Sequence, residues 1–164
     1  MYIITDTSDT RVASTTAGRS RNMRAIKRVD TRPELELRSA LHARGYRFRK
    51  DYRIDTAQRR ARPDVVFTKR KVAIFIDGCY WHSCPTHGRR PTVNQAYWNP
   101  KLTNNARRDD ATNAALNAEG WVVIRIWEHV GIEAAVGRIE RVLDHAASLS
   151  TEGLKPKELL IRVD

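Results

Sequence analysis

Apolar positions change period several times along the chain, and each change marks an element. Thr31-Arg32-Pro33-Glu34 has the form of a capping box with Pro in the tolerated first turn. Glu34, Leu37 and Leu41 then share one helical face, which predicts a helix to about Arg44 that stops at Gly45, with Glu36 outward. Residues 46–54 (YRFRKDYRI) alternate apolar and basic side chains, the period of a half-exposed strand. After a basic loop at 56–61, the runs 62–67 and 72–76 flank the charged turn Lys69-Arg70-Lys71 and predict a hairpin. A loop is expected over 88–100, holding Tyr97 and Trp98. It is followed by a helix over 101–119 with Leu102, Ala106, Ala115 and Leu116 inward, ended by Gly120. Residues 121–127 (WVVIRIW) predict a strand, and 132–149 a closing amphipathic helix with Ala134, Ala135, Val136, Ile139, Val142 and Leu143 as its apolar positions. The order α-β-β-β-α-β-α predicts an α/β fold, a mixed sheet flanked by helices.

Length and charge narrow the picture. The 164 residues suit one domain able to bury a core without disulfide staples. Residues 1–19, rich in Thr and Ser, are expected to be a mobile tail; 20–150 form the domain, introduced by a basic arm over 19–30; 151–164 are a short C-terminal extension. A formal charge of +11 attracts polyanions, and nucleic acid is the partner this balance favours. Within the arm (RSRNMRAIKR), basic residues such as Arg24 can lie along a duplex, and Met23 either wedges between base pairs or covers an edge of the domain. Two cysteines five positions apart do not make a disulfide framework. With no apolar run long enough for a membrane and no secretion-signal core, the chain is expected in the cytoplasm.

Residues 74–87 (IFIDGCYWHSCPTH) concentrate the chemistry at a strand exit. The hairpin sets Asp64, at the head of one strand, beside Ile76 and Asp77 at the end of its partner. Asp64, the carbonyl of Ile76 and, as a further candidate, Asp77 could hold Mg²⁺ with open positions for a phosphate. His82 could take a proton from water; a zinc ligand or a satisfied loop histidine are the alternatives. Glu34, an acid on an apolar stripe, is either a helix cap or part of the site. Cys84 and His87 form a C-x-x-H pair, half of a tetrahedral zinc site, which His129 and an acid such as Asp109 could complete, while Cys79 reads as a small buried apolar residue. Tyr80, Trp81, Tyr97 and Trp98 could stack on or insert between bases, or pack over the metal site.

Together RSRNMRAI, the D-T-x-x-E helix start, RPD-V-V, IF-x-x-GC-Y-W-H, YW-x-x-K-x-x-x-N-x-x-RD and GW-x-V-x-x-W-E resemble the very-short-patch-repair mismatch endonucleases, the Vsr family, over residues 19–128. The resemblance implies a restriction-endonuclease-like core and Mg²⁺-dependent nicking of one strand 5′ of the thymine in a T·G mismatch. By motif, Asp64 and the Ile76 carbonyl match the magnesium ligands, His82 the base, and Glu34 the helix acid that supports the metal-bound water and that histidine. Asp109 matches a ligand of a structural zinc, alongside Cys84, His87 and His129. Tyr80, Trp81 and Trp98 match rings inserted beside the mismatch, Met23 the wedge from the opposite groove, and Lys101 and Asn105 positions near the DNA. The chain departs from the best-known member at Ile76 and Asp77, where that protein carries threonine and histidine, and at the zinc ligands. The expected enzyme is a monomer acting at the nucleoid on double-stranded DNA, with room for repair-protein partners. Two alternatives stand beside it: a related nickase of broader mismatch or sequence taste linked to a restriction-modification system, and a non-catalytic zinc-bearing DNA-binding module.

Overall fold

The computed structural model describes residues 29–151 and 160–163, with the side chains of 147–151 and 160 left aside. The expectations for the tail, for the arm up to Arg28 including Met23 and Arg24, and for most of 151–164 therefore lie outside the described residues.

Helix α1 (Arg32–Ala43) leads into the short strands β1 (Arg49–Lys50), β2 (Ile54–Asp55), β3 (Arg60–Ala61) and β4 (Val65–Phe67). A single 3-10 turn at Thr68–Arg70 and Lys71 in the left-handed region (φ 50°) reverse the chain into β5 (Val72–Asp77). Helix α2 (Gln95–Ala118), β6 (Val122–Trp127), α3 (Ile132–Thr151) and β7 (Leu160–Val163) complete the order. The main sheet runs β1-β4-β5-β6-β7, with β2 and β3 as a separate two-stranded ribbon. β4 is antiparallel to β1 and β5, whereas β6 is parallel to β5 and β7, so the sheet is mixed. The α/β expectation holds.

Strand period 2 divides the core. Val65, Phe67, Val72, Ile74, Val122, Ile124 and Ile126 face α1 and α3, where they meet Leu37, Leu41, Val136, Ile139 and Leu143. Val66, Ala73 and Val123 face the other way, against Leu116 of α2 and against Ile54 and Ala61 of the ribbon. Strand β6 is buried at every position, the signature of a central parallel strand.

Several boundaries differ from the sequence pattern. The 46–54 alternation yields only β1 and the start of β2, because Asp51, at φ 44°, breaks the strand. Helix α2 begins ahead of the expected start and absorbs Tyr97, Trp98 and Pro100. Asn94 turns the chain into it at φ 56°, and Pro100 is tolerated early in the helix at the loss of one backbone bond. Ala134 is exposed and Ala106 only half-buried, since each lies at the margin of its helix's apolar stripe. The C-terminal extension contributes β7, which covers the edge of β6.

Candidate active site and metal centre

Strand β5 outruns β4, and the site forms in that gap. The Asp64 amide donates to the Ile74 carbonyl at 2.9 Å, and the Ile76 amide donates to Asp64 Oδ2 at 2.7 Å. Alternate residues of a strand aim their backbone groups to the same side, so the Ile76 carbonyl also faces the Asp64 side of β5. Asp64 Oδ1 and that carbonyl are the oxygens left to reach a cation. Burial pushes the Asp64 carboxyl up to about 7; the Ile76 amide and Arg38 oppose the rise, while the charges of Glu34 and Asp77 add to it. Acids held this close and this dry are relieved by a divalent cation, and the donor set is one of hard oxygens. The residues present therefore fit magnesium.

Glu34 is buried on α1. The Thr31 hydroxyl donates to its Oε1 at 2.7 Å, and the Asp30 amide and Arg38 Nη1 donate to its Oε2 at 2.9 and 3.4 Å. Half the capping box forms, shifted by one residue: Glu34 reaches back to the amide of Asp30, while the Thr31 side chain bonds Glu34 and caps no backbone amide. Glu34 is thus both a cap and a charge on Asp64. Glu36 faces solvent against Arg32.

His82 lies on the loop after β5, its Nδ1 at 2.5 Å from Asp109 Oδ2 and 3.8 Å from Asp77 Oδ1. Burial works to raise the Asp109 carboxyl, but the hydrogen bond from His82 and the charge of Arg125 outweigh it and hold it below the usual carboxylate range. An ionised carboxylate only accepts, so Nδ1 carries the proton and Nε2 is left as the basic nitrogen. Asp77 meets Arg125 through both oxygens, each at 2.6 Å. Each Asp77 oxygen, expected as a further candidate for magnesium, thus accepts a bond from a buried guanidinium.

The side chains that could hold a metal differ at one residue from the set expected for zinc. Cys79, Cys84, His87 and His129 bring their ligand atoms within 4.8 Å of one another, and Asp109 is not among them. Asp109 is held on α2 by His82 and Arg125 instead. Cys79 Sγ lies 3.1 Å and Cys84 Sγ 3.8 Å from His129 Nδ1, bracketing the sulfur–nitrogen edge of about 3.6 Å in a tetrahedral zinc site. Burial and the neighbouring thiol push Cys79 up to about 11. Burial also acts to raise Cys84, but amides from Thr86 to Gly88 hold it below its ordinary value. A set of two thiols and two imidazoles suits zinc, and when bound the ion would tie the 79–87 loop to the end of β6.

The rings gather nearby. Tyr80, Trp81 and Trp98 sit edge-on or tilted with centroids 5.0–6.0 Å apart. Lys101 Nζ lies over Trp81, Tyr97 and Trp98 at 5.2–5.5 Å, and Asn105 Nδ2 donates to the Trp81 carbonyl at 3.1 Å. Beside them runs an open groove of about 720 Å³ lined by eight residues, Tyr97 and Asn105 among them. Four of the eight, Arg59, Lys101, Arg107 and Arg108, are cationic, a surface suited to phosphates.

Sequence reasoning missed two members. Cys79 read as core, although its spacing from Cys84 and His87 made it eligible as a ligand. Arg125 went unremarked inside VVIRIW, where one charge in an otherwise apolar central strand was itself the signal.

The family model described as DNA mismatch endonuclease Vsr matches residues 12–87. Type II nicking enzyme V.NaeI of Lentzea aerocolonigenes is 51% identical over 139 residues, covering 84% of each chain. Type II nicking enzyme V.XorIIP of Xanthomonas oryzae pv. oryzae is 40% identical over 128 residues, 74% of this chain and 89% of that one. DNA mismatch endonuclease Vsr of Escherichia coli K12 is 35% identical over 113 residues, 68% of this chain and 70% of its own.

Proposed function

The chain belongs to the Vsr family of DNA mismatch endonucleases and is a DNA-nicking enzyme, and from that premise we propose that it cuts one strand of duplex DNA 5′ of the thymine in a T·G mismatch, with magnesium at Asp64. The observation that carries the reading is the junction of two acids and a base at one strand end. Asp64 bonds the Ile76 amide on β5, and His82, just past that strand, is held by Asp109. The mixed five-stranded sheet with helices around them supports reading the fold as a restriction-endonuclease-like core.

His82 Nε2 accepts a proton from water as the water oxygen bonds to phosphorus, and the bond from phosphorus to O3′ breaks. A proton from solvent completes the 3′-hydroxyl and leaves a 5′-phosphate. Asp109 keeps the imidazole in the tautomer this needs and offsets the charge it acquires. Magnesium, bound by Asp64 and the Ile76 carbonyl, would act as a Lewis acid on the scissile phosphate. Glu34, held on α1 by Thr31 and the Asp30 amide, supports the attacking water and His82. Zinc at Cys79, Cys84, His87 and His129 would fix the loop that carries His82. Tyr80, Trp81 and Trp98 select the mismatch by insertion, since a wobble pair costs less to deform than a Watson–Crick pair. Lys101 and Asn105 hold the adjoining backbone. The enzyme acts as a monomer, in the cytoplasm and at the nucleoid; among the described residues no helix is long and apolar enough to cross a membrane.

A second reading draws support from the relatives' names: two of the three above are called type II nicking enzymes. On that reading the chain is a nickase linked to a restriction-modification system, with a broader range of mismatches or sequences. Labelled duplexes carrying T·G, the other mismatches, or full pairing, in several sequence contexts and with or without Mg²⁺, separate the two. Nicking confined to T·G supports the first reading, and equal rates on T·G and fully paired DNA overturn it.

A further inference from the structure

Arg125 stands in the middle of β6 with 4% of its surface exposed. Its strand neighbour in register is Phe75 of β5, over whose ring the guanidinium lies at 4.9 Å. Asp77 is one pleat further along β5 on the same face, and Asp109 and Asn113 reach down from α2 onto that face. All three guanidinium nitrogens are used. Nε and Nη2 donate to the two oxygens of Asp77 at 2.6 Å, Nη2 also meets Asp109 Oδ1 at 2.9 Å, and Nη1 donates to Asn113 Oδ1 at 3.2 Å. The other oxygen of Asp109 holds His82.

We infer that Arg125 is a positioning residue for the nicking reaction: it clamps Asp77 and Asp109 together from beneath the site, so that Asp109 fixes the His82 ring with Nε2 turned to the water. This rests on the reading of His82 as the base. A purely structural ion pair would need one carboxylate. Here a single rigid fork joins two acids from different elements, and the second of them continues to the imidazole. The same clamp gives Asp77 its role, as the counter-charge that anchors the guanidinium to β5, in place of metal binding.

The wild-type full chain supplies the first test. Nitrogen-15 correlation spectra of its histidine rings should show His82 with Nδ1 protonated and Nε2 bare; the opposite tautomer overturns the inference. Arg125→Lys keeps a buried cation but cannot fork. It should lower kcat for nicking by roughly 10²-fold, the cost of a small misplacement, with KM within about 2-fold and the His82 resonances moved toward a tautomer mixture. A folded Arg125→Lys protein with lower thermal stability yet wild-type kcat and tautomer would make the residue structural only. Asp77→Asn, which keeps the shape, should lower kcat by roughly 10-fold and leave the Mg²⁺ concentration for half-maximal nicking in place. A tenfold rise in that concentration would make Asp77 a metal ligand and defeat the clamp. His82→Ala keeps the failures apart. Wild-type nicking by that variant would defeat the underlying reading, whereas an inactive His82→Ala beside a fully active Arg125→Lys would defeat this inference alone.

Discussion

At Asp64, burial and neighbouring acids raise the carboxyl to about 7, well above its ordinary value of 3.8. A folded-state pKa above the unfolded one favours the protonated fold. Without magnesium, that contribution is complete below the unfolded pKa and is lost as pH rises through 7. Asp64→Asn should therefore be more stable than wild type at pH 8 in magnesium-free buffer, on the order of 2–4 kcal/mol, with the difference vanishing near pH 4. Urea midpoints at the two pH values check it, and no difference at pH 8 would mean that the carboxylate is well solvated. The placement of the acid and the imidazole was legible in the sequence because their neighbours, a strand start and a strand exit, are local features. The partner of Asp109 was not, since helical spacing does not say which way an acid on α2 points across the sheet.

The loop after β5 depends on close backbone approach. A Cβ added at Gly88 would stand 2.3 Å from the Cys84 carbonyl oxygen and 2.8 Å from the Cys84 nitrogen, where no side-chain motion can relieve it. Gly88→Ala should open the Cys84–His87 turn, destabilise the fold by about 1–3 kcal/mol, and release zinc to a chelator faster than wild type. Wild-type retention of zinc would show that the turn can yield. The hairpin, α1 and β6 followed from apolar runs and periods joined to local signals, the capping box and Gly45 for α1 and the charged turn at 69–71 for the hairpin. The body of α2 was expected over 101–119, but its start was not, because its first turns carry rings and Pro100 rather than an apolar stripe, and because Asn94 starts it from a left-handed backbone. Strand β7 was hidden for another reason: LIRV is too short to announce itself, and its partner β6 is remote in sequence.

For the whole molecule, two consequences follow. Removing residues 160–164 would bare the edge of β6 and take Ile161 out of the main core. The truncated chain should melt earlier and aggregate on warming, read by light scattering during the melt. The charge of +11 sets the second. Duplex affinity should fall steeply with salt, and Lys101→Met should reduce the magnitude of the log–log slope by about 1, with equal effect on matched and mismatched DNA. An unchanged slope would remove Lys101 from the phosphate path. Net charge and composition made nucleic acid legible from the sequence; the cationic groove beside the rings was not, because Arg59 and Arg108 meet through the ribbon docking on α2.

The proposed chemistry depends on Asp64 and His82 serving one phosphate with one divalent ion. The direct measurement is nicking and binding of a labelled T·G duplex by wild type, Asp64→Ala and His82→Ala, with and without Mg²⁺. Wild type should nick only with Mg²⁺, while both variants hold the duplex about as tightly and fail to cut it. Either variant cutting at the wild-type rate would contradict the account.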